Sequence, residues 1–433
     1  MRYRWVILFF GILAYGTSQF ARQNFNGIQP YIAADLKLNK GDIGQLASIF
    51  FWSYAIFQMP WGIASDKFGS RAIVGLGILL TAATMVGFAT GQSEGSLLFW
   101  RAAAGVVAAA VYVALTGSIA RWFPGKDRSF SQATLGGVGG ALGEGTAYFL
   151  LPVLAGYLAS AGTVRWREGM NMIAVAIAIM GILCIIFLKS APAGHKPTTR
   201  KPFDWKLLGD AQLWCYAFIY SGFVIGIRGT QTWMAVYATD VYVSSYGLRL
   251  NQAVVSGGLL AFVAYSLVGR TMGCPLAGKI SDMFAKRGVS RTAVLIGWLI
   301  FAIIVLQVLS TGVSTIWALG IVFALLGALV NLFSLVPAAI SETYGSQRTA
   351  SISSFANTLA QFSGATALAV SGYVGISLNS QPGNALGDYR GIWLSGMVGM
   401  AIMATLGVAA YIAYRTGWAA RPQPSSLGEE AKL

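Results

Sequence analysis

Charge is what this chain has least of. Asp, Glu, Lys and Arg make up 10% of its 433 residues, while 56% are hydrophobic. A soluble domain of that length cannot cover its surface with so little charge. Histidine occurs once, at His195 in a polar stretch where a neutral role is expected, and cysteine three times. Cys184, Cys215 and Cys274 are scattered within or beside apolar runs. An odd, dispersed set of that kind excludes a disulfide framework and offers no metal site. No nucleophile stands beside a base and no nucleotide-cradling loop is visible, so neither enzyme chemistry nor a cofactor is expected.

What fills the chain instead is a series of twelve apolar stretches, each long enough to cross about 30 Å of hydrocarbon. Their limits fall near 5–33, 43–64, 72–91, 97–120, 131–158, 169–188, 213–237, 253–278, 292–310, 316–340, 350–376 and 392–414. The formal net charge of +15 does not imply a nucleic-acid partner, because Lys and Arg concentrate in alternate connections. With both termini cytoplasmic, the inside segments hold far more of them than the outside ones, as the positive-inside rule requires. Arg2 and Arg4 ahead of an apolar run imitate a signal peptide, but no small-residue cleavage site follows. The run is therefore expected to stay as the first helix. The sequence implies a multi-pass integral membrane protein, placed in a bacterial cytoplasmic membrane.

A ten-residue phrase divides the chain. Gly62-Ile-Ala-Ser-Asp66-Lys-Phe-Gly69-Ser-Arg71 returns at one constant offset as Gly278-Lys-Ile-Ser-Asp282-Met-Phe-Ala-Lys286-Arg287, with Ala285 in place of the later Gly. Each copy joins the end of one apolar stretch to the start of the next. A membrane unit duplicated in this way reads as a pseudosymmetric secondary transporter. The expected organisation is a six-helix bundle over 1–188, a cytoplasmic linker over 189–212, a second six-helix bundle over 213–415 and a disordered tail over 416–433. Phe203–Leu208 in the linker has the composition of a short interfacial helix. The two Gly-x-x-x-Asp turns, with Arg71 and Arg287, are expected to act as conformational latches, Asp capping a helix start and charges pairing across the bundle in one conformation.

Two arginines are the chief functional signal. Arg22 and Arg228 lie in the middle of the first and seventh stretches, with no Asp or Glu deep in either one. A central arginine costs about 2.5–3.5 kcal/mol on the lenient insertion scale, so it normally faces a cavity or a partner. Two unmatched cations are better explained by an anion that comes and goes than by a fixed ion pair. Helical spacing places Tyr15, Gln19, Arg22 and Asn26 on one face of the first helix, and Ser221, Arg228 and Thr232 on one face of the seventh. Tyr54 and Gln58 form such a pair on the second and Asn357 and Gln361 on the eleventh, while Tyr112 lies inside the fourth. Together these suggest one shared polar pocket, in which arginine forks suit carboxylate or phosphate. Glu144, within Gly143-Glu-Gly145, is either a proton site or a fixed counter-ion for Arg101 or Arg270. Gly136, Gly137, Gly139, Gly140, Gly143 and Gly145 around it are expected to admit the eighth helix, with its Gly269 and Gly273, at close range.

The repeated turn resembles the signature loop of the major facilitator superfamily, Gly-x-x-x-Asp-x-x-Gly-x-Arg. That resemblance implies an all-α membrane fold of twelve helices in two pseudosymmetric six-helix bundles, usually working as a monomer by alternating access. Gln19-Phe-Ala-Arg22-Gln-Asn-Phe-Asn-Gly-Ile-Gln-Pro30-Tyr is similar to the first helix of the organophosphate:phosphate antiporters, whose arginines on helices one and seven hold a phosphoryl group. Gln58 stands where those antiporters carry lysine. Phe50–Pro60, Arg101-x-x-x-Gly105, Ala120-Arg-Trp-Phe-Pro124 and Asn357-Thr-Leu-Ala-Gln361 look more like the anion:cation symporters of sugar acids and carboxylates. Ala21 and Ala108 occupy the places of those symporters' usual acids. Arg270 resembles an arginine of nitrate/nitrite transporters, with Tyr54 near the place of its usual partner. The resemblances imply a small organic or phosphorylated anion as substrate, with phosphate or a proton as the coupling species. The alternatives are inorganic-anion transport and a membrane sensor that binds an anion without moving it. A cation or multidrug exporter lacks the deep acid it would need near helix one or four.

Overall fold

The computed structural model describes residues 3–123, 131, 134–158, 165–192, 205–344, 346–377 and 388–416. Among them the chain forms twelve long helical segments. In the first half these are α1 (Tyr3–Leu36), α2 (Lys40–Phe68), α3 (Ser70–Thr90), α4 (Glu94–Trp122), α5 (Leu135–Tyr157) and α6 (Trp166–Phe187). In the second, α7 is Ala211–Tyr246 and α8 joins Leu250–Leu260, Ala261–Gly273 and Cys274–Lys286. It continues with α9 (Arg291–Ser310), α10 (Ile316–Tyr344), α11 (Ser346–Ser377) and α12 (Asp388–Thr416). Short connections make successive helices antiparallel, so Tyr3 and Thr416 share one end of the bundle, here called the near end. The α1–α2 and α7–α8 connections lie at the far end. His195, Phe203 and the tail beyond Thr416 fall outside the described residues. Of the expected interfacial helix, Trp205–Gly209 forms a single 3-10 turn.

Local chemistry sets the helix ends. Asn39 and Asp42 form a reciprocal capping box at the start of α2, with bonds of 3.1 and 2.8 Å, which satisfies two otherwise orphaned donors. Gly247, at φ 65°, closes α7, a left-handed position that glycine occupies without a Cβ penalty. The duplicated turns differ. Gly69, at φ 85°, follows α2 directly, whereas after α8 the positive φ is delayed to Gly288, at 84°. Ala285 does not take on the conformation that Gly69 supplies in the first copy.

Among the described residues, eight helices are apolar and long enough to span a membrane by composition alone. The four that are not are α1, α2, α7 and α11, which carry the polar pairs. Their surroundings explain the tolerance. Gln19, Gln23, Asn24, Asn26 and Gln29 of α1 and Arg228, Thr230, Gln231 and Thr232 of α7 are all buried, so protein, not hydrocarbon, solvates them. α5 and α8 contain π-helical stretches at Leu135–Gly139 and Ala261–Gly273, and α10 is interrupted by a 3-10 turn at Asn331–Leu335.

The halves meet closely at the far end. A Cβ on Gly372 of α11 would lie 2.6 Å from the carbonyl of Lys40 and 3.1 Å from Cα of Gly44, both on α2. Lys40 Nζ sits 3.8 Å from the ring centroid of Tyr389 on α12. A Cβ on Gly258 of α8 would strike the carbonyl of Tyr148 on α5. The glycine expectation for α5 is therefore redistributed. Gly139 and Gly143 face α1 at Ile12 and Gly16, while Gly140 and Gly145 face α8 at Arg270 and Phe262. Gly269 and Gly273 pack on Ala324, Gly327 and Ala328 of α10 instead of α5. Gly136 and Gly137 have nothing within 4 Å of a built Cβ.

In this arrangement the described latch residues bond within their own halves. Asp282 pairs at 2.9 Å with Arg291 at the start of α9, and Arg291 holds Glu342 at 2.5 Å. This cluster stays within the second half. Arg71 donates from Nε to the carbonyl of Ile185 at 2.5 Å, within the first. Gly62 faces Val113 of α4 at 3.4 Å, and Gly278 has open space beside it. The backbone N–H of Arg287 bonds the carbonyl of Phe284. The side chain of Asp66 lies outside the described set.

Two glycine substitutions separate packing within a half from packing between halves. Gly143→Ala collides with the Gly16 backbone and is expected to lower unfolding stability by about 1–3 kcal/mol, the usual range for overpacking. Gly258→Ala is expected to leave the unfolding midpoint near wild type but to raise the reactivity of a thiol placed at Thr232→Cys, because it props the halves apart. Unchanged thiol reactivity would contradict the cross-half role of Gly258.

Candidate functional site

Arg22 and Arg228 come together over one aromatic ring. The guanidinium carbon of Arg228 lies 3.8 Å from the ring centroid of Phe51 on α2, and that of Arg22 lies 5.9 Å from it and 5.9 Å from Tyr54. Such contacts offset a modest part of a cation's desolvation. Arg228, buried at 4% exposure, donates from Nη1 to Gln231 Oε1 at 3.1 Å and from Nη2 to Gln361 Oε1 at 2.7 Å. Both acceptors are neutral amides. Arg22 makes no hydrogen bond among the described residues, and the buried Nε atoms of both arginines lack acceptors. Neither arginine forms an ion pair among the described residues.

The polar pairs expected from helical spacing line this place. Gln361 donates to Asn357 at 3.1 Å, and Asn357 to Gln58 at 3.3 Å, so an amide chain runs from Arg228 through α11 to α2. Gln19 donates to the Tyr15 hydroxyl at 3.0 Å, and the Tyr15 ring lies 4.9 Å from that of Tyr112 on α4. Tyr54 stacks on Phe50 at 6.3 Å. The Ser221 hydroxyl turns back to its own helix, donating to the carbonyl of Ala217 at 2.8 Å. Two small cavities lie within the halves, one lined by Asn24, Thr84 and Arg101 and the other by Thr230, Ser371 and Trp393. Arg22 and Arg228 line neither of them.

Asn26 and Thr232 belong to a different feature. Asn26 donates to Gln23 at 2.5 Å, and Gln29 donates to Asn26 at 2.9 Å and to the Thr232 carbonyl at 3.2 Å. This seam of amides lies on the far side of the arginines and joins α1 to α7. The spacing of Gln23, Asn26 and Gln29, three residues apart, signals the seam in the sequence, and Gln231 stands the same step beyond Arg228. Grouping Asn26 with Arg22 at a four-residue step hid it.

Glu144 is fully buried and uses both oxygens across the boundary between halves. Oε2 pairs with Nη1 of Arg270 on α8, and Oε1 accepts from Gln231 Nε2 of α7 at 2.7 Å. Its counter-ion is Arg270, not Arg101. Arg101, 5% exposed, is held within the first half. Its guanidinium lies 4.4 Å from Phe25 and 4.6 Å from Phe50, and Nε donates to the Leu46 carbonyl at 3.2 Å. A Cβ on Gly140 would lie 3.0 Å from Arg270 Nη2 and 3.3 Å from Tyr15, so Arg270 borders the tyrosine side of the site.

Comparison with known proteins agrees with this architecture. Over 66% of its length the chain is 24% identical to the probable sulfoacetate transporter SauU of Cupriavidus necator, matching 66% of that protein, just under two thirds. It is 25% identical over 67% of its length to the probable galactarate/D-glucarate transporter GudP of Bacillus subtilis, matching 67% of it. The crystal structure of a bacterial homologue of the human lysosomal transporter Spinster, inward-facing and unoccupied, superposes with a TM-score of 0.76. That alignment covers 97% of this chain and 99% of the other at 15% identity, a likeness of fold alone. The Major Facilitator Superfamily model matches residues 11–368. With twelve long helices among the described residues, eight of them apolar enough to span a membrane, and a family match across most of its length, this chain belongs to the Major Facilitator Superfamily.

Proposed function

We propose that this protein is a secondary active transporter of small organic or phosphorylated anions, which it holds between Arg22 and Arg228 and moves by alternating access. One observation carries the reading: two arginines deep between the halves share the Phe51 ring and have no carboxylate partner among the described residues. An anion bridging their forks would supply the missing charge and the acceptors that both buried Nε atoms lack. Gln58, Asn357 and Gln361 then offer neutral donors and acceptors to hydroxyl groups on the same molecule. The names of SauU and GudP point to organic anions as well. With both termini cytoplasmic, the closed far end is the outer side.

Arg270 is the arginine that a nitrate-type reading would use, and it is already engaged by Glu144. We take this pair as a fixed counter-ion arrangement, leaving Arg22 and Arg228 to the substrate. Removing one member of a buried pair strands a charge and costs about 3–5 kcal/mol, whereas replacing both by apolar groups is often nearly neutral. Glu144→Leu and Arg270→Leu are each expected to lower the unfolding midpoint sharply. The double variant is expected to recover most of that loss while keeping anion binding through Arg22 and Arg228. Recovered stability with abolished anion binding would make Glu144 part of the anion site.

The functional test is counterflow in proteoliposomes preloaded with inorganic phosphate, sulfoacetate, D-glucarate or glucose 6-phosphate, with and without a pH gradient. Arg22→Gln and Arg228→Gln each remove a charge-assisted interaction of about 1.5–3 kcal/mol and are expected to cut exchange tenfold or more. Exchange indifferent to either substitution would overturn the arginine site. Thermal stabilisation by one of these anions without flux would overturn transport.

A further inference from the structure

Gln231 has no place in the anion site as built so far, yet its side chain has the densest set of polar contacts near it. It is 3% exposed. Its Oε1 accepts from Arg228 Nη1 at 3.1 Å and from Gln23 Nε2 at 3.0 Å, and its Nε2 donates to Glu144 Oε1 at 2.7 Å. Its main-chain carbonyl accepts from the Tyr148 hydroxyl at 3.1 Å. Arg228 belongs to the same helix, while Gln23, Glu144 and Tyr148 belong to the other half. One amide thus ties the substrate-facing arginine to the opposite bundle.

The amide's orientation is forced. The Glu144 carboxylate, paired with Arg270, offers only acceptors on this side, so the NH2 of Gln231 must face it. The Oε1 is therefore turned toward Arg228 and Gln23. In this far-end-closed arrangement, an anion oxygen can take over Arg228 Nη1 without orphaning Gln231, because Gln23 remains as a donor to the same Oε1. When the halves part at the far end, Gln23 and Glu144 leave with the first half, and Arg228 becomes the remaining donor in reach of that oxygen. Releasing Arg228 to an anion then leaves that oxygen without a protein donor, a loss that the closed arrangement avoids. The same anion thus meets two different affinities in the two states, which is what a ligand needs in order to shift a conformational equilibrium.

From this geometry we infer that Gln231 is a positioning residue that makes the availability of Arg228 depend on closure of the far end. Anion binding and closure of the halves are thereby coupled through one side chain. The inference rests on the anion reading of Arg22 and Arg228. It adds that Glu144 and Arg270, though remote from the anion, set the direction of the amide.

The test compares wild type with Gln231→Met, which keeps length and volume and leaves every charged residue with its present ionic partner. The probe is whichever of sulfoacetate, D-glucarate, inorganic phosphate and glucose 6-phosphate wild type exchanges fastest. Half-saturation and turnover of exchange are measured, together with spin-label distances between Lys37→Cys and Ser245→Cys, exposed far-end positions on opposite halves. The native cysteines are replaced in that background. In wild type the anion is expected to narrow the distance distribution toward the closed state. In Gln231→Met, binding is expected to persist within about threefold while turnover falls at least tenfold and the anion-induced narrowing disappears. Glu144→Gln, which frees the amide to turn over, should give the same split, and the double variant should be no worse than either single one. A merely structural role would lower stability and amplitude without separating half-saturation from turnover. If anion binding depends on Arg228 but Gln231→Met narrows and turns over like wild type, this inference falls and the anion site stands. If none of the four anions is exchanged, or exchange ignores Arg228, the anion reading falls and takes this one with it.

Discussion

The interior of this bundle must accommodate Arg22, Arg101, Arg228 and Arg270 with Glu144 as the one deep carboxylate among the described residues, and each cation is settled differently. Arg270 takes the acid. Arg101 is placed against two phenyl rings and a carbonyl in a purely first-half environment. Arg228 is met by amide oxygens, which solvate a guanidinium without cancelling its charge. Arg22 faces rings and has no acceptor among the described residues. In a low-dielectric interior this sequence of decreasing compensation marks where a mobile negative charge is worth most.

The arrangement of amides follows from the same scarcity. A carboxylate placed near Arg228 would compete permanently with any anion, whereas glutamine and asparagine can satisfy donors and still give them up. The side chains that hydrogen-bond around Arg228 are accordingly neutral amides: Gln58, Asn357 and Gln361 on one side, Gln23, Asn26, Gln29 and Gln231 on the other. They occupy the helices least suited to lipid contact, and the strongly apolar α3, α6, α9 and α12 need no such accommodation. Glycine serves the packing counterpart of this design, letting α2 meet α11 and α5 meet α8 with backbone nearly touching backbone.

Much of this was legible in the residues. Twelve apolar runs, the duplicated turn, the two deep arginines and the pairs Gln58/Tyr54 and Asn357/Gln361 all emerge from hydropathy and helical spacing. The structure adds the bonds from Arg228 to Gln361 and from Asn357 to Gln58, which no single-helix pattern contains. The partner of Glu144 was open between Arg101 and Arg270 because sequence spacing says nothing about which face of α4 or α8 meets α5. The glycines of α8 were assigned to α5 by composition, but packing turns them to α10. Gln23 and Gln231 were missed because an amide beside an arginine reads as part of that arginine's surroundings until its other neighbours are seen.

The π-helical stretch of α8 limits how far the duplication can be trusted. The Gly and Asp of the two turns keep one constant offset, and by that offset Arg270 answers to Tyr54. Yet α2 is a regular α-helix through its length, while thirteen residues of α8 are wound with wider, i to i+5 turns. Each residue there rotates the chain by less than its counterpart in α2, so positions matched by number drift out of angular phase. The two halves are therefore related as texts more closely than as surfaces. Transplanting α2 into the place of α8, or averaging the halves to reconstruct an ancestral six-helix unit, would preserve the letters and aim the side chains at different neighbours.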